Sequence, residues 1–254
     1  MSSLEKSDTE QNKVVFIGAG PGDPELITLK GKKWLENADV VIYTGSLINP
    51  AILQYCKSSA KLFDSAKMNL PEVMSVIVES VKSGKQVARV HDGDPSFYGA
   101  IQEQMETLDK EGIKYFRIPG VSCLQGGAGA LNRQLTLPDI SNTIILTRPS
   151  GRTKVCERES LKNLAQHKVT MVIFLGTPYI SEVMVELQKG GYPKETPVNV
   201  VYKATWPEQK IVKGTIDDIA EKVKTEGITE TALIFVGNVL DPTTYGLSKL
   251  YDPS

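Results

Sequence analysis

Short apolar, β-branched runs alternate along the first half of the chain with longer stretches whose apolar residues recur every three or four positions. VVFIGAG, DVVIYTG, KLFDSA, QVARVHDG, KYFRIPG and NTIILTR read as strands. LPEVMSVIVESVKSG, with Val73, Ile77 and Val81, and AIQEQMETLDKEG, with Ile101, Met105 and Leu108, read as helices between them. This is the βαβ rhythm of a mostly parallel sheet.

The rhythm changes after the polar stretch PSGRTKVCERE, residues 149–159. Beyond it come a strand at TMVIFLG, a helix around SEVMVELQKG, strands at PVNVVYKAT and QKIVKGTI, a helix at DDIAEKVKTEG and a strand at TALIFVGNV. The two middle strands are joined too closely for a parallel crossover, so they pair antiparallel. The pattern predicts two α/β domains, residues 13–148 with a mostly parallel sheet and 149–254 with a mixed sheet, and a cleft between them. Residues 1–12, mostly polar, read as a flexible extension.

At 254 residues and 41% hydrophobic, the chain is long enough to bury a large core. Its formal net charge of -1 gives no global field for nucleic acid or an anionic membrane. No apolar run approaches the roughly 20 residues of a membrane span, and the start lacks a signal peptide's apolar core. The expected location is cytoplasmic. Cys56, Cys123 and Cys156 are odd in number and far apart, which argues against a disulfide framework. With His91 and His167 as the two histidines, the supply of transition-metal ligands is poor, and no bound metal is expected.

VFIGAGPGDP looks at first like a dinucleotide-binding turn. The glycine fingerprint falls on Gly18, Gly20 and Asp23, so its third glycine is missing, and the second strand ends in Thr44, Gly45 and Ser46 rather than an acid. No Gly-Lys-Ser/Thr follows, and Asp23 is a poor neighbour for a phosphate. Two readings stay open: a turn that brings backbone close to a bulky ligand, or one that merely joins two elements.

At VHDGDPSFYG, Asp92 and Asp94 flank a glycine at another strand exit, where open α/β sheets bind ligands. Such a rim suits a cationic or hydroxyl-rich ligand and disfavours a polyphosphate; Asp94 could equally cap a helix beginning near Pro95. PGVSCLQGGAGALN supplies a third small-residue exit. All three should converge on one edge of the parallel sheet.

In this order and spacing the three motifs resemble those of the tetrapyrrole (corrin and porphyrin) methylases. The resemblance runs from about Lys13 to about Leu240. Within the family, YTGSLINP, FDSAKMNLPE, LTLPDISNTIILTRPSGRT and YKATWPEQKIVKGT resemble the branch that methylates C-11 of precorrin-4 or cobalt-precorrin-4 in corrin (cobalamin) biosynthesis. Thr44 stands where the uroporphyrinogen methylases carry an Asp, which argues against the siroheme branch. The resemblance implies S-adenosylmethionine as cofactor, a homodimer, and a cofactor folded between two domains. It places Pro21, Asp92, Gly93, Asp94, Phe97, Ser122 and Cys123, and from the second domain Leu175, Ala204, Thr231 and Ala232, against that cofactor. Gly20, Gly22, Asp23, Thr44 and Ser46 would face the tetrapyrrole.

Such a substrate carries several carboxylates, and Arg suits bidentate pairing with them. Arg133, Arg148 and Arg152 are the favoured contacts, whereas Lys154 and Arg158 lie beside Glu157 and Glu159 in what could be a solvated loop. No catalytic base is identifiable. The alternatives are methylation at another corrin position and a non-enzymatic S-adenosylmethionine-binding module.

Overall fold

The computed structural model describes residues 13–248 and 250. The extension expected at 1–12 lies outside them. Two five-stranded sheets organise the chain, and its compact units divide between Gly126 and Gly127.

In the first unit, β1 (Val14–Gly18), β2 (Val40–Tyr43), β3 (Lys61–Asp64), β4 (Val87–His91) and β5 (Tyr115–Ile118) stand in the order β3-β2-β4-β1-β5. Every pairing is parallel. The central strands β1 and β4 are buried along their whole length, as expected where helices cover both faces of a parallel sheet. Val15, Ile17, Val41, Ala88 and Val90 face Trp34, Leu35 and Ile52; Phe16, Ile42 and Val87 face Val73, Ile77 and Leu108.

The connecting helices start where side chains can satisfy free N–H groups. Thr28 caps α1 (Leu29–Asn37), and Asn69 with Glu72 forms a reciprocal capping box at α2 (Leu70–Lys82). The next helix, α3 (Gln102–Lys110), begins well after Pro95: residues 95–98 form a turn, so Asp94 caps no helix there. The element α4 (Cys123–Leu131) then carries the chain out of the first unit.

The second unit orders its strands β6-β7-β10-β8-β9, with β6 (Ile144–Thr147), β7 (Thr170–Ile173), β8 (Pro197–Tyr202), β9 (Lys210–Thr215) and β10 (Ala232–Val236). The β6–β7 pairing is parallel and the rest antiparallel, including the expected β8–β9 pair. Between them α5 (Leu161–Ala165), α6 (Ile180–Lys189) and α7 (Ile219–Thr225) cover a core of Met171, Ile173, Leu187, Val200, Ile219 and Ile234.

One boundary differs from the expectation. The sequence pattern places the strand at 144–147 in the first domain, with a boundary after residue 148, but Ile144 pairs with Thr170 and Thr147 with Ile173, so the strand belongs to the second sheet. The polar stretch 149–159 therefore lies inside the second unit, on the way from β6 to α5. An apolar run states that a strand forms; its partner is chosen by backbone hydrogen bonds remote in sequence.

Packing of α4 is tested by two glycines. A Cβ at Gly127 would sit 2.5 Å from Cζ of the fully buried Phe235 ring, whereas one at Gly129 would meet nothing within 4 Å. Gly127→Ala should cost about 1–3 kcal/mol by overpacking. Gly129→Ala should be neutral or stabilising by up to about 1 kcal/mol through helix propensity. Urea unfolding of both variants checks the contrast.

Candidate functional site

The three small-residue exits meet at the carboxyl ends of β1, β4 and β5. The Ala19 amide donates to the His91 carbonyl at 2.8 Å, and Gly20 and Gly93 exchange backbone hydrogen bonds at 3.3 and 2.9 Å. The approach is too close for any side chain. A Cβ on Gly18 would fall 2.5 Å from the Gly120 nitrogen, and one on Gly120 would fall 2.1 Å from the Gly93 oxygen. Gly20 and Gly93 also have φ of +84° and +54°, in the left-handed region.

Asp94 ties the exits together. One carboxylate oxygen accepts from the Ser96 amide and the other from the Gly120 amide, both at 2.8 Å. Burial alone would raise its pKa, but these amides and the nearby Arg117 outweigh it and hold the carboxyl below its usual range. Asp92 is held by the opposite balance, since burial raises its pKa. Burial, with the neighbouring Asp92 adding to it, pushes the Cys123 thiol up to about 12, so Cys123 stays protonated and is no nucleophile.

The remaining first-unit candidates lie along the same exits. Pro21 is buried, the Gly22 carbonyl accepts from Asn49 Nδ2 at 2.9 Å, and Asp23 caps the turn Pro24–Leu26 through the Glu25 amide. Ser122 is buried at the start of α4, where its hydroxyl accepts from the Leu124 amide. Thr44 is half-buried and Ser46 exposed after β2. Phe97 stands 41% exposed.

In the second unit, four of the candidates gather at one end of the sheet. Leu175 follows β7, Ala204 follows β8, and Thr231 and Ala232 open the antiparallel β10, with the Lys203 amide donating to the Thr231 carbonyl at 2.9 Å. Leu175, Lys203, Thr205 and Thr231 all have φ between 45° and 69°. Non-glycine residues held in that region mark backbone shaped for something other than stability. Arg148 leaves β6 at the same end, and its Nη1 donates to the carbonyls of Pro149 and Thr153. Arg133 and Arg152 are exposed; Arg133 follows the end of α4 rather than a strand.

The family model "Tetrapyrrole (Corrin/Porphyrin) Methylases" matches residues 13–220. This chain belongs to that family. It is 57% identical over 240 residues to the cobalt-precorrin-4 C(11)-methyltransferase of Methanocaldococcus jannaschii, covering 94% of this chain and 93% of that protein. Among solved structures it resembles a cobalt precorrin-4 methyltransferase, described as a cobalamin biosynthetic enzyme, with a TM-score of 0.87 and 45% identity over 90% of this chain and 96% of that one. A uroporphyrin-III C-methyl transferase from Thermus thermophilus, solved with S-adenosyl homocysteine, matches with a TM-score of 0.76 and 25% identity over 90% and 99% of the two chains.

Against the needs of a tetrapyrrole methylase, the first unit offers carboxylates, backbone oxygens and small residues at its strand ends, chemistry that fits a positively charged cofactor. Among the described residues no group of three or more His, Cys, Asp or Glu could hold a metal ion, and no helix is long and apolar enough to cross a membrane.

Sequence reasoning missed the polar residues beneath this edge. Arg89 and His91 alternate along β4 and share the face of Phe16; each is 7% exposed. The signal was available: two basic residues two apart in an otherwise apolar strand point to one buried face. Among the described residues Nε2 of His91 has no hydrogen-bond partner, and burial, then the nearby Arg89 charge, lowers its pKa to about 3.

Asp94→Asn can keep only one carbonyl acceptor, so it should lose about 1.5–3 kcal/mol, the value of one hydrogen bond to a charged group. Because the folded pKa is depressed, that contribution is present above about pH 4 and disappears as pH falls below it. Urea titrations at pH 7 and pH 3 should show the difference between Asp94→Asn and the parent shrinking. For His91 the unfolded chain takes up a proton as pH falls through about 6.5 while the folded chain does not, so stability is lost with falling pH. The loss should be about 2 kcal/mol between pH 7 and pH 5. His91→Phe should flatten that limb by the same amount; an unchanged slope would contradict it.

Proposed function

We propose that this tetrapyrrole methylase transfers a methyl group from S-adenosylmethionine to C-11 of precorrin-4, with or without cobalt in the ring. The observation that carries the reading is the 57% identity to a cobalt-precorrin-4 C(11)-methyltransferase over nearly the whole of both chains. When bound, S-adenosylmethionine would supply an activated methyl group: an electron pair of the macrocycle would form the new carbon–carbon bond, and the carbon–sulfur pair would stay on sulfur.

The protein then has little covalent chemistry to do. Its task is placement, and holding two reactants in a near-attack geometry can lower a barrier by about 7–11 kcal/mol. In the first unit Pro21, Asp92, Gly93, Asp94, Phe97, Ser122 and Cys123 are the residues assigned to the cofactor. Asp92 and the backbone oxygens around Gly93 suit its positive charge. Asp94 acts chiefly through the protein, because both of its oxygens already accept from backbone amides. Leu175, Ala204, Thr231 and Ala232 are the second unit's assigned contacts, and the left-handed backbone at Leu175, Lys203 and Thr231 supports a shaped binding edge there.

Gly20, Gly22, Asp23, Thr44 and Ser46 are assigned to the macrocycle, with Arg133, Arg148 and Arg152 for its carboxylates. Arg148 has spent Nη1 on its own loop, which leaves Nε and Nη2 for a substrate oxygen. A homodimer in the cytoplasm completes the reading.

Incubation with methyl-labelled S-adenosylmethionine and precorrin-4, metal-free and cobalt-loaded, should place one labelled methyl at C-11 by NMR. Label at another ring carbon, or no transfer to either form, would overturn the assignment. Calorimetry separates the alternative of a non-enzymatic S-adenosylmethionine-binding module, which would bind S-adenosylhomocysteine and ignore the macrocycle. Light scattering at micromolar concentration should report a dimer.

A further inference from the structure

A chain of hydrogen bonds runs from the buried interior of the first sheet to the end of β2. Arg89 is 7% exposed, and its partners among the described residues are neutral: Nε donates to Gln104 Oε1 at 3.2 Å, and Nη1 donates to the Ile42 carbonyl at 3.3 Å and to Ser65 Oγ at 3.1 Å. Ser65 is 8% exposed, and its hydroxyl also lies 3.1 Å from the Tyr43 carbonyl and 3.1 Å from Thr44 Oγ1. Thr44 is half-buried, the outermost of the three.

Proton counting sets the direction of this chain. The Ser65 hydroxyl has one hydrogen and two lone pairs. Arg89 has no acceptor capacity, so one lone pair receives its N–H. The Tyr43 carbonyl has no hydrogen, so the Ser65 proton must go to it; otherwise two oxygen lone pairs would face each other at 3.1 Å. The second lone pair of Ser65 then receives the hydrogen of Thr44. With its proton directed inward, Thr44 Oγ1 offers only lone pairs to whatever occupies its other side.

We propose that Arg89 and Ser65 are positioning residues that hold the Thr44 hydroxyl as an obligate hydrogen-bond acceptor, so that Thr44 selects a proton-bearing group of the macrocycle and disfavours a carboxylate. The inference rests on the function proposed above. The matching group is a ring N–H in metal-free precorrin-4 or a metal-bound water in the cobalt form; both are donors. A rigid arrangement is the point of burying the guanidinium: a free serine and threonine pair could reverse its hydrogen bonds, whereas a fixed cation at one end cannot.

The test is an absorbance titration of metal-free and cobalt-loaded precorrin-4 into the full chain, with S-adenosylhomocysteine affinity by calorimetry as the control for folding. Thr44→Val should weaken at least one macrocycle form about tenfold, and Thr44→Ser should restore it. Which form responds identifies the donor as N–H or metal-bound water. Ser65→Ala should weaken the same form about threefold and add nothing on top of Thr44→Val, because it acts through Thr44. Should Arg89→Met lose S-adenosylhomocysteine binding through misfolding, the Ser65 and Thr44 cycle still decides. Wild-type protein that binds neither macrocycle would sink the functional reading instead. Wild-type binding that Thr44→Val leaves unchanged for both forms, or additive effects of Ser65→Ala and Thr44→Val, would overturn this inference.

Discussion

The near-contact of three backbones at Gly18, Gly93 and Gly120 is the constraint on which the first unit depends. Parallel strands lie side by side with their exits on one edge, and loops that leave such an edge ordinarily diverge. Here they are drawn together by the Gly20–Gly93 bridge and by the Asp94 carboxylate, which accepts an amide from its own turn and another from the β5 exit. Gly18 and Gly120 are required because a single methyl group would overlap the neighbouring loop, and Gly93 because its φ of +54° lies in the left-handed region. The consequence is a sheet edge made of closely packed backbone and small residues rather than side-chain bulk, a surface that a large ligand can approach closely.

Beneath that edge the same strands carry an unusual load for a parallel sheet. Arg89 and His91 sit on the face that holds Phe16, where the buried Gln104 and Ser65 are set among aliphatic and aromatic side chains. Burial lowers the guanidinium pKa to about 10, which still leaves it charged at neutral pH, and carbonyl, amide and hydroxyl oxygens stand in for a counter-ion. A buried charge without a carboxylate is costly, and its persistence makes sense as orientation rather than as stability. His91, by contrast, is kept neutral by the same surroundings.

The second unit solves a different problem. Its sheet is mixed, so strand starts and strand ends share an edge: the exits of β6, β7 and β8 stand beside the entrance of β10. Non-glycine residues in left-handed backbone recur at that edge, at Leu175, Lys203, Thr205 and Thr231. Such conformations cost about 1–3 kcal/mol each and survive where surrounding structure over-determines them. Both units thus invest local strain or close approach at a strand edge, which is what a methyltransferase that works by placement requires.

Much of this was legible in the residues alone. The buried strands announce themselves as apolar runs, the short β8–β9 connection dictates an antiparallel pair, and the three glycine-bearing exits can be assigned to one edge because parallel strands put all their carboxyl ends on the same side. The carboxylates at 92 and 94 were visible as candidates for the same reason. Which sheet would take the strand at 144–147 was not, since its pattern fits either and the choice rests on pairing with residues more than twenty positions away. Nor could sequence show that Asp94 spends both oxygens on the protein, that Arg148 ties down its own loop, or that Arg89 reaches Thr44 through Ser65. Periodicity reports which face of an element is apolar, a local property of the chain; the partner of a polar atom depends on the distance between segments far apart in sequence, and only the folded backbone sets that distance.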